Sequence, residues 1–212
     1  MNDGLLFHHG LISIWILFFT YPASIMADSY EPGFVNTSSI TSQHWERLGG
    51  KIPDVSVSDQ HGRIQRFYTD LVKGKTVAIN FVYTTCTSVC PVLTEIFRST
   101  LEMLDARGGE TKLISISVDP SNDTLPRLKE FALRYHAGTD WSFITADKTG
   151  IDLLLKSLGA FSSKRDDHST MVLIGNDAND RWVRSYGMTP AVTLVQMLDE
   201  VRIHHQAAQN SK

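Results

Sequence analysis

The chain contains two cysteines, Cys86 and Cys90, in the segment Tyr83-Thr84-Thr85-Cys86-Thr87-Ser88-Val89-Cys90-Pro91. Ionised thiols are the nucleophiles of disulfide exchange and the soft ligands that suit Cu(I). Pro91 fits the first position of a helix, with Cys90 at or near its N-cap. The apolar run ahead of the pair reads as a strand, so both cysteines fall just past a strand's carboxyl end, where open α/β sheets form ligand sites. Unpaired N–H groups and the positive end of the helix dipole favour a thiolate there. Three residues separate the cysteines, one more than in thioredoxin-type redox motifs. The wider loop can close as a disulfide, or open so that both sulfurs face one metal. The inert alternative is two buried thiols acting as small hydrophobes; the polar Thr87 and Ser88 favour an exposed loop.

Two thiolates leave a copper site short of a third ligand. Among the six histidines outside the first 27 residues, His168 stands out in Arg165-Asp166-Asp167-His168-Ser169-Thr170, immediately before a β-branched run. On its own segment, a loop histidine beside two aspartates reads more readily as a solvated surface residue. His44, His61 and His136 read as tether, turn and helix-end residues, and His204-His205 as a solvated face.

The elements that must hold these residues follow from periodicity. Residues 55–57 and 64–67 alternate around the turn Asp59-Gln60-His61-Gly62 and form a hairpin. Residues 76–83 and 112–118 are mostly apolar and β-branched, as buried central strands are. Helical spacing follows each, through Val92, Leu93, Ile96, Phe97, Leu101 and Leu104, and through Leu125, Leu128, Phe131, Ala132 and Tyr135. A short strand at 141–145, a helix at 153–158, strands at 170–174 and 181–186, and a final helix after Thr189-Pro190 complete the order. Alternating strands and helices imply an α/β domain whose partly parallel sheet is covered on both faces. The closing ββα, with cysteines between the first central strand and its helix, points to a thioredoxin-like fold.

Length and composition narrow the function. The 212 residues carry 20 Lys plus Arg against 23 Asp plus Glu, a net charge of −3, unlike a nucleic-acid binder. Two cysteines exclude a disulfide-rich scaffold and any four-cysteine zinc or iron–sulfur site built from this chain alone. Residues 1–27 hold an apolar run at 11–19 followed by Pro22, Ala23, Ser24 and Ala27, the pattern of a signal peptide or N-terminal membrane anchor. Residues 28–50 read as a flexible linker, 51–206 as the folded domain and 207–212 as a disordered tail.

The run FVYTTCTSVCP at 81–91, Ser117-Val118-Asp119-Pro120 with Asp123-Thr124, and Asp167-His168-Ser169 together resemble the Sco/SenC family over about residues 50–205. The resemblance implies a thioredoxin-like fold and a membrane-tethered or exported protein facing the periplasm or an equivalent compartment. It further implies a site in which Cys86, Cys90 and His168 bind copper together, and a role in delivering copper to cytochrome c oxidase. The recipient would be the oxidase's copper-site subunit or another copper carrier. Two departures stand out: Asp166 replaces a usually apolar residue, and Leu125 separates Asp123-Thr124 from Pro126. Asp119 reads equally well as a residue orienting the site loops or as a turn aspartate before proline. A competing function is thiol–disulfide exchange with partner cysteines, which needs Cys86 and Cys90 but not His168. A third, peroxide reduction, usually wants an arginine near the thiol, and Arg98 is the one basic residue within ten positions of the pair.

Overall fold

The computed structural model describes residues 46–48, 52–106, 111–163 and 170–209. The chain divides into two compact units, Met1–Thr41 and Ser42–Lys212. The first unit, with the segment read as a signal peptide or anchor, lies outside the described residues, as do residues 164–169. Among the described residues no helix is long and apolar enough to cross a membrane.

The strands are β1 (Ser56–Asp59), β2 (Ile64–Arg66), β3 (Thr76–Val82), β4 (Thr111–Ser117), β5 (Trp141–Thr145), β6 (Met171–Asn176) and β7 (Arg181–Tyr186). The helices are α1 (Val89–Asp105), α2 (Leu125–Arg134), α3 (Lys148–Ser157) and α4 (Ala191–Gln209). All seven strands join one sheet in the order β2-β1-β5-β4-β3-β6-β7. β3, β4 and β5 run parallel, while β6 is antiparallel to β3, β7 to β6, β1 to β5 and β2 to β1. The sheet is therefore mixed, with the expected hairpin at its amino-terminal edge.

Every side chain of β3 is buried because helices cover both faces. On one face Ala78 and Val82 pack with Phe97 and Leu101 of α1, Phe131 of α2 and Leu198 of α4. On the other, Val77, Ile79 and Phe81 pack with Ile151 and Leu154 of α3 and with Phe67 and Val72 of a π-helical turn (Phe67–Val72). Full burial on both faces explains why this strand reads as a continuous apolar run. Its internal polar residue is partnered on one side: Asn80 Oδ1 accepts from Ser115 Oγ at 2.6 Å, and Ser115 Oγ accepts from Trp141 Nε1 at 2.9 Å, while the buried Asn80 amide nitrogen has no partner among the described residues. The last ladder is close-packed. A Cβ on Gly175 would sit 2.2 Å from the ring of Trp182, its partner in β7.

Two ends of this sheet matter for the chemistry. The parallel strands β3 and β4 deliver their following loops to the same end. β6 starts at that end, because Val172 lies opposite Asn80 and Met171 comes one residue before it. Glu46, within the stretch read as linker, pairs with Trp182 of β7, and Leu48 is buried.

Candidate functional site

Cys86 and Cys90 occupy the junction between β3 and α1. After Val82 the chain makes a turn in which the Cys86 N–H donates to the Tyr83 carbonyl at 3.2 Å. The helix then begins at Val89, so Cys90 is its second residue and Pro91 its third. Cys90 is thus near the cap, as expected, while Pro91 falls at the third helical position and not at the expected first. The reason is that none of the first-turn N–H groups has an intrahelical acceptor, so a proline is tolerated anywhere in that turn. The residue at the cap is Ser88, whose side chain makes no capping bond. The Cys90 N–H donates instead to Cys86 Sγ at 3.4 Å, and Ser88 Oγ lies 3.7 Å from the same sulfur. A sulfur thus takes the place that a serine or aspartate oxygen usually fills.

The two cysteines are not joined in a disulfide. Cys86 is 6% exposed and Cys90 fully buried, in a small cluster with Tyr83 and, at its margin, Val89 and Val118. The two thiols are driven in opposite directions. Burial opposes ionisation of Cys86, but hydrogen bonds from the Cys90 thiol, the Cys90 and Ser88 N–H groups and the Tyr83 side chain outweigh it, lowering that thiol to about 6. Burial pushes Cys90 up to about 12, reinforced by its donation to Cys86 and by the charges of Cys86 and Asp123. One proton is thus shared between adjacent sulfurs, a paired titration of an outer nucleophile and an inner thiol.

A buried carboxylate underlies this loop. Asp123 Oδ1 accepts from the Thr84 N–H at 3.0 Å and from Thr84 Oγ1 at 2.6 Å, while its Oδ2 accepts from Ser117 Oγ at 2.6 Å. Asp119, just past β4, takes the Asn122 amide on both carboxylate oxygens at 3.0 and 2.9 Å, and its N–H donates to Ser117 Oγ at 3.1 Å. The sequence suggested a role for Asp119 and placed Asp123 in the family motif without one. The partner that gives Asp123 its significance, Thr84, lies 39 positions earlier, and no local pattern signals that pairing. Arg98 turns away from the thiols in its bonding, since its guanidinium engages Glu95 and Glu102 on its own helix.

His168, Asp166 and Asp167 fall outside the described residues. Among the described residues no group of three or more His, Cys, Asp or Glu side chains could hold a metal ion. Thr170 and Met171, which follow that segment, lie at the sheet end that carries the cysteine loop. Gly187 donates to the Thr170 carbonyl at 2.7 Å and ties down the entry to β6.

A mixed sheet covered on both faces, with a dithiol where a central strand passes into its helix, defines a thioredoxin-like domain. Solved structures agree. The chain superposes on BsSco, a member of the Sco family of cytochrome c oxidase assembly proteins, with a TM-score of 0.63 at 24% identity, covering 74% of this chain and 95% of that one. On Arabidopsis thaliana ScoI with copper bound the TM-score is 0.59 at 19% identity, covering 69% and 95%. The SCO1/SenC family model matches residues 54–202, and the chain belongs to that family. A SCO1 protein homolog of Bacillus subtilis (strain 168) is 32% identical over 115 residues, which is 50% of this chain and 60% of that protein. The chain thus spans less than two thirds of that relative's length.

Proposed function

We propose that this chain is an exported or membrane-anchored copper chaperone that delivers copper to cytochrome c oxidase through Cys86, Cys90 and His168. The observation that carries the reading is the Cys86–Cys90 dithiol at the start of α1 in a SCO1/SenC chain. Two adjacent sulfurs, one with a lowered proton affinity, offer the soft anionic donors that Cu(I) prefers. Copper here is cargo. A site of two sulfurs and one imidazole can hand it on by ligand exchange, each incoming thiolate or imidazole replacing an outgoing one. His168 is the third donor in this reading. It lies three residues before Met171, so at ~3.3–3.6 Å per residue it can be no more than ~11 Å along the chain from the start of β6. The start of β6 in turn shares a sheet end with the cysteine loop. Support for copper as the cargo comes also from the copper-bound Arabidopsis structure of the same fold. The recipient is the oxidase's copper-site subunit or another carrier, and residues 1–27 serve as signal peptide or anchor.

The reduced chain, titrated with Cu(I) against a competing chelator, should bind one equivalent. Binding should be lost in Cys86→Ser and Cys90→Ser and strongly weakened in His168→Ala. Unchanged binding in all three variants would end the proposal. A second reading, thiol–disulfide exchange with partner cysteines, is favoured by the opposed proton affinities of the pair, which suit an attacking and a resolving thiol. Disulfide-reductase activity that survives His168→Ala in copper-free protein would select it.

A further inference from the structure

We propose that Asp123 is a positioning residue for Cys86, acting through Thr84 to fix the turn that presents the Cys86 sulfur to the start of α1. The inference rests on the reading that the dithiol is the functional site, and it assigns a role outside the three proposed ligands.

The geometry is a chain of single links. Thr84 is the first residue inside the turn closed by the Cys86 N–H and the Tyr83 carbonyl. Both of its donors, the N–H and the hydroxyl, go to one oxygen of Asp123. Two bonds from one residue to one atom fix that residue's orientation as well as its place. The other oxygen is held by Ser117 at the end of β4. Asp123 itself is set by a tight turn in which the Asn122 and Asp123 N–H groups donate to the Asp119 carbonyl at 3.0 and 2.9 Å. The Val118 N–H donates to the Val82 carbonyl at 2.9 Å, which closes the two strand ends together. The cysteine loop is therefore pinned at one end by Asp123 and at the other by the Cys90 N–H on Cys86 Sγ.

A carboxylate with no exposed surface is costly unless its oxygens are hydrogen-bonded. Asp123 is 0% exposed, and its hydrogen-bond partners among the described residues are two hydroxyls and an N–H, with no basic side chain. An amide in its place would still accept both Thr84 donors on its oxygen. Its –NH2, however, would face Ser117 Oγ, whose proton now points the other way. Asp123→Asn keeps the Thr84 clamp and weakens the link to β4, because Ser117 Oγ, which already accepts from the Asp119 N–H, must turn its proton away to accept from the amide; Ser117→Ala breaks that link outright, and Asp123→Ala removes both clamp and link.

The test uses the full chain, reduced and metal-free, with Leu104→Ala as a control that destabilises the core at the far end of α1. Iodoacetamide labelling at neutral pH, read residue by residue by mass spectrometry, gives the ratio of Cys86 to Cys90 alkylation rates. Chelator competition and the copper–thiolate absorption band give the second readout. Asp123→Ala should lower the rate ratio at least about fivefold, the weight of one hydrogen bond. It should also weaken copper retention and move the band. Asp123→Asn and Ser117→Ala should fall between it and wild type, and Leu104→Ala should leave the ratio unchanged. If Asp123→Ala does not fold, the other two variants decide. A wild-type ratio and band in folded Asp123→Ala, or in both milder variants, overturns the proposal, as does an equal fall in Leu104→Ala. If the wild-type chain binds no copper but the ratio falls in Asp123→Ala, positioning stands and the copper reading fails. Copper bound equally by wild type and Asp123→Ala, with an unchanged ratio, gives the reverse.

Discussion

Reduced Cys86 should react as a thiolate across the neutral range while Cys90 reacts far more slowly. The perturbation is pH, and the reference is the same chain unfolded in urea, where both thiols titrate near ~8.5. With Cys86 lowered to about 6, the native thiol is about half ionised at pH 6, when the unfolded one is ionised to roughly 0.3%. At pH 9 both are largely ionised. The ratio of native to unfolded Cys86 alkylation rates should therefore fall about a hundredfold between pH 6 and pH 9. Restricted access to a 6% exposed sulfur scales all native rates together and leaves that fall intact. Residue-resolved iodoacetamide labelling measures it. Stability should follow the same proton. A folded-state pKa below the unfolded one contributes stability that is fully present above about pH 8.5 and is lost as pH falls through about 6. The reduced domain should thus gain up to about 1.4 kcal/mol per pH unit in that window, an increment absent in Cys86→Ser. Cys90→Ala removes the thiol donor and should move the Cys86 midpoint upward. A Cys86 midpoint at 8 or above, or Cys90 reacting first, would refute the reasoning.

Two further outcomes test the scaffold. Gly175→Ala forces a methyl into the Trp182 ring, so it should cost about 3 kcal/mol, lowering Tm by roughly 6–12 °C in a calorimetric scan. Arg63→Ala removes the 2.6 Å ion pair on the buried Asp59 carboxylate. Asp59 sits below the usual carboxylate range: burial opposes its charge, but the Arg63 and His61 N–H groups and the Arg63 guanidinium overcome it. Its contribution is present above about pH 4 and lost as pH falls below that. The variant should cost roughly 1–3 kcal/mol in urea unfolding at pH 7, and clearly less at pH 2.

Much of the fold was legible because its strands are buried in different ways. β3 and β4, covered on both faces, read as mostly apolar, β-branched runs, and the spacing of Leu93, Phe97, Leu101 and Leu104 marks the buried face of α1. The start of α3 escaped because Lys148 and Thr149 show no apolar period. It is set by a capping bond from the Gly150 N–H to the Asp147 carboxylate at 2.6 Å. The π-helical turn escaped for a similar reason, since Asp54 holds the N–H groups of Tyr68 and Thr69 from 14 and 15 residues away. At the site, the cysteines are legible from type and spacing. The sulfur cap and the Asp123 clamp are not, because each depends on which donor the folded backbone brings within reach.

The outer strands carry a consequence for how this domain can meet another protein. An unprotected sheet edge invites a foreign chain to add itself as a further strand. Here one edge is β2, three residues long, preceded by Arg63 and ending in Arg66, although its Ile64 is exposed. At the other edge, β7 is met by the backbone of Glu46, which exchanges two hydrogen bonds with Trp182 at 2.8 and 3.0 Å. Among the described residues β2 is short, and β7 has one ladder position, Trp182, already taken. Strand addition by another protein is thus disfavoured at β2 by its length and its arginines, and at Trp182 by a ladder position already occupied.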